Sequence, residues 1–144
     1  MNPRDIRDLT LKELEIFLDQ IGEKRFRAKQ IFDWLYDKNV FSFDKMRNLS
    51  PTLQKKLSDN FTLKPHAIVA KQVSKDGTTK FLFNLDDQEK VESVLIPTKT
   101  RTTACISTQA GCKFGCRFCA SGIGGWKRNL LPGEILTQVQ HVKA

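Results

Sequence analysis

What the sequence lacks narrows the field first. Its 144 residues contain no apolar run long enough to cross a membrane, and the polar start Met1-Asn2-Pro3-Arg4-Asp5 has no signal-peptide stretch. A cytoplasmic location is therefore expected. There is no internal repeat and no low-complexity tract. Cysteine is scarce, with four in the whole chain, and all of them fall between residues 105 and 119. In a reducing compartment so few clustered thiols point to metal binding or chemistry, not to a disulfide scaffold. Acid is scarce in the last third, where residues 99–144 hold 7 Lys/Arg against a single Glu. That segment carries +6 of the net charge of +8, which implies an anionic partner, with nucleic acid the leading class.

Three regions follow from periodicity, giving an α+β chain. Residues 1–64 read as a helical module. Thr10 to Glu13 has the capping-box form, and Leu11, Leu14, Phe17, Leu18 and Ile21 share one stripe. A second helix is expected from Arg25 to Tyr36, with Ala28, Ile31, Phe32 and Leu35 inward. A short third is expected around Phe43, Met46 and Leu49, and a fourth after the Ser50-Pro51 cap, carrying Leu53 and Leu57. Lys24, Arg25, Arg27 and Lys29 crowd the first turn of the second helix, where cations oppose the helix dipole, a hint of phosphate contact.

Residues 65–98 read as an antiparallel β segment. Ala67 to Val73 and Thr78 to Leu85 flank Asp76-Gly77, a hairpin signal, and a third strand runs from Lys90 to Ile96. Glu92 shares a face with Val94 and Ile96. A carboxylate on an apolar strand face suggests a base with a raised pKa.

Residues 99–144 bring a strand, Thr102 to Ser107, into a loop bearing Cys112, Cys116 and Cys119, and a helix opens at Pro132-Gly133-Glu134 with Ile135, Leu136, Val139 and Val142 on one side. A loop at the carboxyl end of a strand is where α/β folds bind ligands. Gly115 is expected to let that loop fold back on itself. Two metal readings remain. Zinc would need a fourth ligand, Cys105 or His141, and has no second cysteine pair. An iron–sulfur cluster on three thiolates would keep one iron open to a small molecule.

The spacing Cys112-x3-Cys116-x2-Cys119, with Phe118 just before the last thiol, resembles the signature of radical S-adenosylmethionine enzymes. The flanks narrow the resemblance. Cys105-Ile106-Ser107-Thr108-Gln109-Ala110-Gly111, Lys127-Arg128-Asn129-Leu130, the strand Val91 to Pro97 and the helical Lys29 to Leu35 are similar to the radical methyltransferases that act on adenine in RNA. The resemblance covers essentially the whole chain.

Much is implied by it. The chain would hold the helical accessory RNA-binding module (1–64), a β-hairpin segment (65–98), and the first βα unit of a truncated (β/α) barrel with its cluster loop (99–144). Cys112, Cys116 and Cys119 would ligate a 4Fe-4S cluster, and Phe118 would lie at the S-adenosyl-L-methionine site. Glu92 would accept a proton, and Cys105 would resolve the intermediate through a transient disulfide. The reaction would be methylation of adenine C2 in 23S rRNA and tRNA through a methyl-cysteine beyond residue 144, with an external, flavodoxin-like electron donor and a monomeric full-length enzyme. Methylation at adenine C8 is the sister alternative, and a non-enzymatic zinc-bearing RNA-binding module is the distant one.

Overall fold

The computed structural model describes residues 3–114 and 116–143; the expectation for Gly115 lies outside them. The chain divides into two compact units, the first ending at Pro65 and the second beginning at His66.

The first unit is helical. Its first helix, α1 (Leu11–Gln20), starts as the sequence expects: the Thr10 hydroxyl accepts from the Glu13 amide, and the Glu13 carboxylate accepts from the Thr10 amide at 2.7 Å. Such reciprocal caps stabilise a helix by about 1 kcal/mol. At its other end the Lys56 ammonium donates to the Ile21 carbonyl at 3.0 Å, placing a cation where the helix dipole is negative. Helix α2 (Phe26–Phe32) is shorter than expected, because the backbone widens into a π-helical turn over Asp33–Asp37. The expected third helix is only a 3-10 turn, Phe43–Lys45. Helix α3 (Pro51–Asn60) begins on the Ser50 hydroxyl, which accepts from the Leu53 amide.

Leu14, Leu18, Ile31, Leu35, Met46, Leu53 and Leu57 form the centre of this unit. Each fully buried side chain of this size contributes about 1.5–3 kcal/mol. One charge lies in the same interior. Arg7 is 2% exposed, and it donates to both Asp5 carboxylate oxygens and to the Lys64 carbonyl. Nothing in the apolar periodicity pointed to it.

The second unit is a four-stranded antiparallel sheet, in the order β1 (Ala67–Val73), β2 (Thr79–Asn84), β3 (Lys90–Pro97), β4 (Thr102–Cys105). Gly77, at φ +85°, makes the tight β1–β2 turn that the Asp-Gly pair signals. Two further short strands, β5 (Gln109–Ala110) and β6 (Arg128–Asn129), pair with each other. Helix α4 (Ala120–Ile123) lies between them in the chain, and α5 (Pro132–Lys143) follows β6. One sheet face, with Phe81, Phe83, Val91 and Ser93, is buried; Val142 and Ile135 of α5 pack into the same cluster.

The inward side of α5 differs from the apolar stripe expected of it. Thr137 and Gln138 are fully buried, whereas Leu136 and Val139 are only partly so. The two at 0% exposure are tolerable because both are bonded: Thr137 donates to the Gly133 carbonyl, and Gln138 meets the sheet.

Among the described residues no helix is long and apolar enough to cross a membrane.

Candidate functional site at the cysteine loop

The loop bearing the thiols is tied off at its base. Gln109 pairs with Asn129 and Ala110 with Arg128, and the Lys127 amide donates to the Ala110 carbonyl at 3.0 Å. Gly111, at φ +71°, sits so close to Gly125 that a Cβ there would fall 1.9 Å from the Gly125 carbonyl oxygen. Only glycine permits both the backbone angle and the approach. The loop is thus a closed excursion between two strands. Between the expected strand and the expected helix the structure adds three short elements, β5, α4 and β6.

Arg128 anchors the loop's exit. Its Nε donates to Asp87 at 2.6 Å, and its two terminal nitrogens donate to the two Glu134 oxygens at 2.7 and 2.8 Å. The β2–β3 turn, the loop exit and the start of α5 are joined by one guanidinium. These bonds raise its pKa further, and Arg128 in turn holds the Asp87 carboxyl below its usual range. From the basic segment, then, Arg128 serves the protein's own carboxylates. Lys113 lies over the Trp126 ring at 4.6 Å, while Arg117 and Lys127 are exposed. In the first unit, likewise, Arg25 is paired with Asp19 and Arg27 bonds to Gln30 and the Asn48 carbonyl.

All four cysteines are unpaired thiols, Cys105 and Cys116 exposed, Cys112 and Cys119 half-buried. Among the described residues no three His, Cys, Asp or Glu side chains stand close enough together to hold a metal ion. The donor set nevertheless suits a soft metal centre. From Gly111 to Trp126 the loop has three thiols and neither carboxylate nor imidazole, so any metal it takes is bound by sulfur. Phe118 is 94% exposed at the tip, with Phe114 and Ile123 also facing solvent.

Beside the loop lies an open cavity of about 600 Å³. Its walls include Glu92 from β3, Ser107, the loop glycines Gly111, Gly124 and Gly125, and Lys127. Glu92 and the loop therefore border one space. The strand face holding Glu92 is not the buried one, however. Val91 and Ser93 point into the core, and the Glu92 side chain is 53% exposed, its carboxylate 3.1 Å from Lys80 on β2. The desolvated carboxylate suggested by the apolar pattern is absent, because Val94 and Ile96 lie on the open face beside it. Cys105 shares that face. It pairs with Val94, and paired residues, like residues two apart on one strand, project to the same side.

Known proteins match this chain along nearly its whole length. Residues 4–63 match the ribosomal RNA large subunit methyltransferase N-terminal domain. A probable dual-specificity RNA methyltransferase RlmN from Staphylococcus saprophyticus is 49% identical over 140 residues. The chain is similar to the N-terminal region of RlmN-type enzymes. The RlmN of Bacillus velezensis is 50% identical over 138 residues. A radical SAM methyltransferase from Sphaerobacter thermophilus superimposes with a TM-score of 0.89 at 42% identity, over 97% of this chain and 41% of that one. The chain spans about 38% of the length of the curated RlmN relatives it matches.

Proposed function

We propose that this chain supplies the RNA-binding module and the radical-initiation site of an RlmN-type methyltransferase that modifies C2 of adenine in 23S rRNA and tRNA. The observation that carries the reading is the loop of three thiols, closed at its base by Gly111 and Gly125, opening beside a cavity walled by Glu92. The RNA methyltransferase names of relatives near 50% identity support the substrate class.

In this reading Cys112, Cys116 and Cys119 hold a 4Fe-4S cluster, and the loop gathers its thiols as the cluster binds. A cluster held by three thiolates keeps one iron available to S-adenosyl-L-methionine and supplies, when bound, the electron for radical initiation. Phe118 lines the cofactor's side of the loop. The cavity gives room for a small molecule, and the bare loop glycines let it approach the backbone closely.

Glu92 accepts a proton at its carboxylate, on the wall of that cavity. The Lys80 ammonium stands 3.1 Å from that carboxylate. Cys105, on the same open face, is the thiol that resolves the intermediate by a transient disulfide with a cysteine beyond this chain. Residues 1–64 grip RNA, residues 65–98 carry Glu92, and residues 99–144 begin the (β/α) barrel. The target adenine leaves its stack to reach the site. A flavodoxin-like donor supplies electrons, and the full-length enzyme works as a cytoplasmic monomer.

Mass spectrometry of adenosine from 23S rRNA and tRNA tests this, comparing cells with and without the full-length gene. The reading requires 2-methyladenosine that disappears with the gene; 8-methyladenosine in its place would move the activity to the sister class.

A further inference from the structure

Gln138 lies fully buried on α5, in a helix face that should have been apolar, and every polar atom of its side chain is used. Its Oε1 accepts from the Ser93 hydroxyl at 2.7 Å and from the Ser107 amide at 2.9 Å. Its Nε2 donates to the Ser107 carbonyl at 2.9 Å and to the Glu134 carbonyl at 3.2 Å. Ser107 in turn donates its hydroxyl to the carbonyl of Glu92 at 2.7 Å.

These bonds converge on Glu92 from two directions. Ser93 is its neighbour along β3. Ser107 continues the register of β4 against β3, in which Val94 faces Cys105, so that it lies across from Glu92. Beyond Cys105 the regular ladder ends, and the Gln138 amide takes over the main-chain bonds of Ser107 that a continuing strand would have satisfied. A primary amide is suited to this, since it accepts and donates in one plane; a carboxylate only accepts, and a thioether does neither usefully.

We propose that Gln138 is a positioning residue that sets the backbone of Glu92 at the cavity wall through Ser107 and Ser93. It holds the buried side of β3 fixed, and the Glu92 side chain projects from the opposite, open side. Its meaning for catalysis rests on Glu92 being the proton acceptor; its structural part does not.

Amide hydrogen exchange by NMR on the isotope-labelled chain tests the structural part. Gln138→Met should accelerate exchange at Ser107 about tenfold or more, since its hydrogen-bond partner is lost, and should move the Glu92 resonances. The amides of Phe83 and Leu85 should keep their wild-type rates. Unchanged Ser107 and Glu92 signals overturn the proposal, and so does an equal acceleration across the whole second unit, which marks a residue that merely fills the core. Should Gln138→Met not fold, Ser107→Ala keeps the Gln138 bonds to the main chain and removes only the link to Glu92. Shifted Glu92 resonances with unchanged Gln138 side-chain amide signals support the proposal, and unshifted Glu92 resonances overturn it. In the full-length gene product, Gln138→Met should lower kcat about tenfold with KM for RNA unchanged. A KM effect alone contradicts the positioning role. Neither NMR outcome uses RNA or cofactor, so a failure of the methyltransferase reading leaves them standing.

Discussion

Arg128 meets Glu134 with both terminal nitrogens, at 2.7 and 2.8 Å, and so fastens the exit of the cysteine loop to the first turn of α5. The same Glu134 carboxylate accepts from the Leu131 amide at 2.8 Å, capping the helix. A bidentate, partly buried pair of this kind outweighs an exposed ion pair. Arg128→Ala should therefore lower the stability of the second unit by about 2 kcal/mol, measured by urea unfolding. No change in the midpoint would show that the clamp is ornamental.

The same clamp gives a pH dependence. Arg128 depresses the Asp87 carboxyl below its ordinary value of 3.8. A carboxyl with a lowered folded-state pKa stabilises the fold fully above its unfolded value and loses that contribution as pH falls through the folded one. Stability of the second unit should thus decline below about pH 4, and Asp87→Asn should flatten that decline. Equal acid sensitivity in the variant, followed by circular dichroism, would remove Asp87 as a cause.

Arg7 is the corresponding weak point of the helical unit. With its guanidinium buried against Asp5 and the Lys64 carbonyl, Asp5→Ala leaves a buried charge without its carboxylate. That change should cost about 3–5 kcal/mol in chemical denaturation, whereas Arg25→Ala, at an exposed pair with Asp19, should cost under about 1 kcal/mol. Similar costs at both sites would contradict the difference in burial.

What could be read in the sequence was mostly local. The Thr10–Glu13 box, the Ser50-Pro51 start and the Asp76-Gly77 turn each involve neighbours in the chain, and each appears as expected. So does the inward face of Phe81, Phe83 and Leu85, set by a period of two. The errors came where a distant partner decides. Glu92 sits on the open face because α5 covers the opposite one, and Gln138 is buried because Ser93 and Ser107 await it. Arg128 lies in the basic segment for which an anionic partner is expected, but Asp87, distant in sequence, and Glu134, across a turn, pair with it. For the thiols, spacing was legible; their convergence on one point is not present among the described residues.

Gly111 offers the sharpest test of the loop's frame. An added Cβ would lie 1.9 Å from the Gly125 carbonyl oxygen, at a backbone angle that side chains disfavour. Gly111→Ala should destabilise the second unit by about 2–4 kcal/mol and abolish iron uptake, because the loop base must open. Gly124→Ala, with open space around its Cβ, is the control and should leave stability and iron uptake close to wild type. Equal iron binding by both variants would disconnect the loop base from the metal site.

The central claim, that Cys112, Cys116 and Cys119 form a site for an iron–sulfur cluster that receives S-adenosyl-L-methionine, is tested most directly by anaerobic reconstitution with iron and sulfide followed by visible absorption and EPR. A broad charge-transfer absorbance and a reduced-cluster EPR signal that changes on adding S-adenosyl-L-methionine are expected, both lost when any one of the three cysteines is replaced by Ala and kept in Cys105→Ala. Stoichiometric zinc binding with no iron uptake would contradict it.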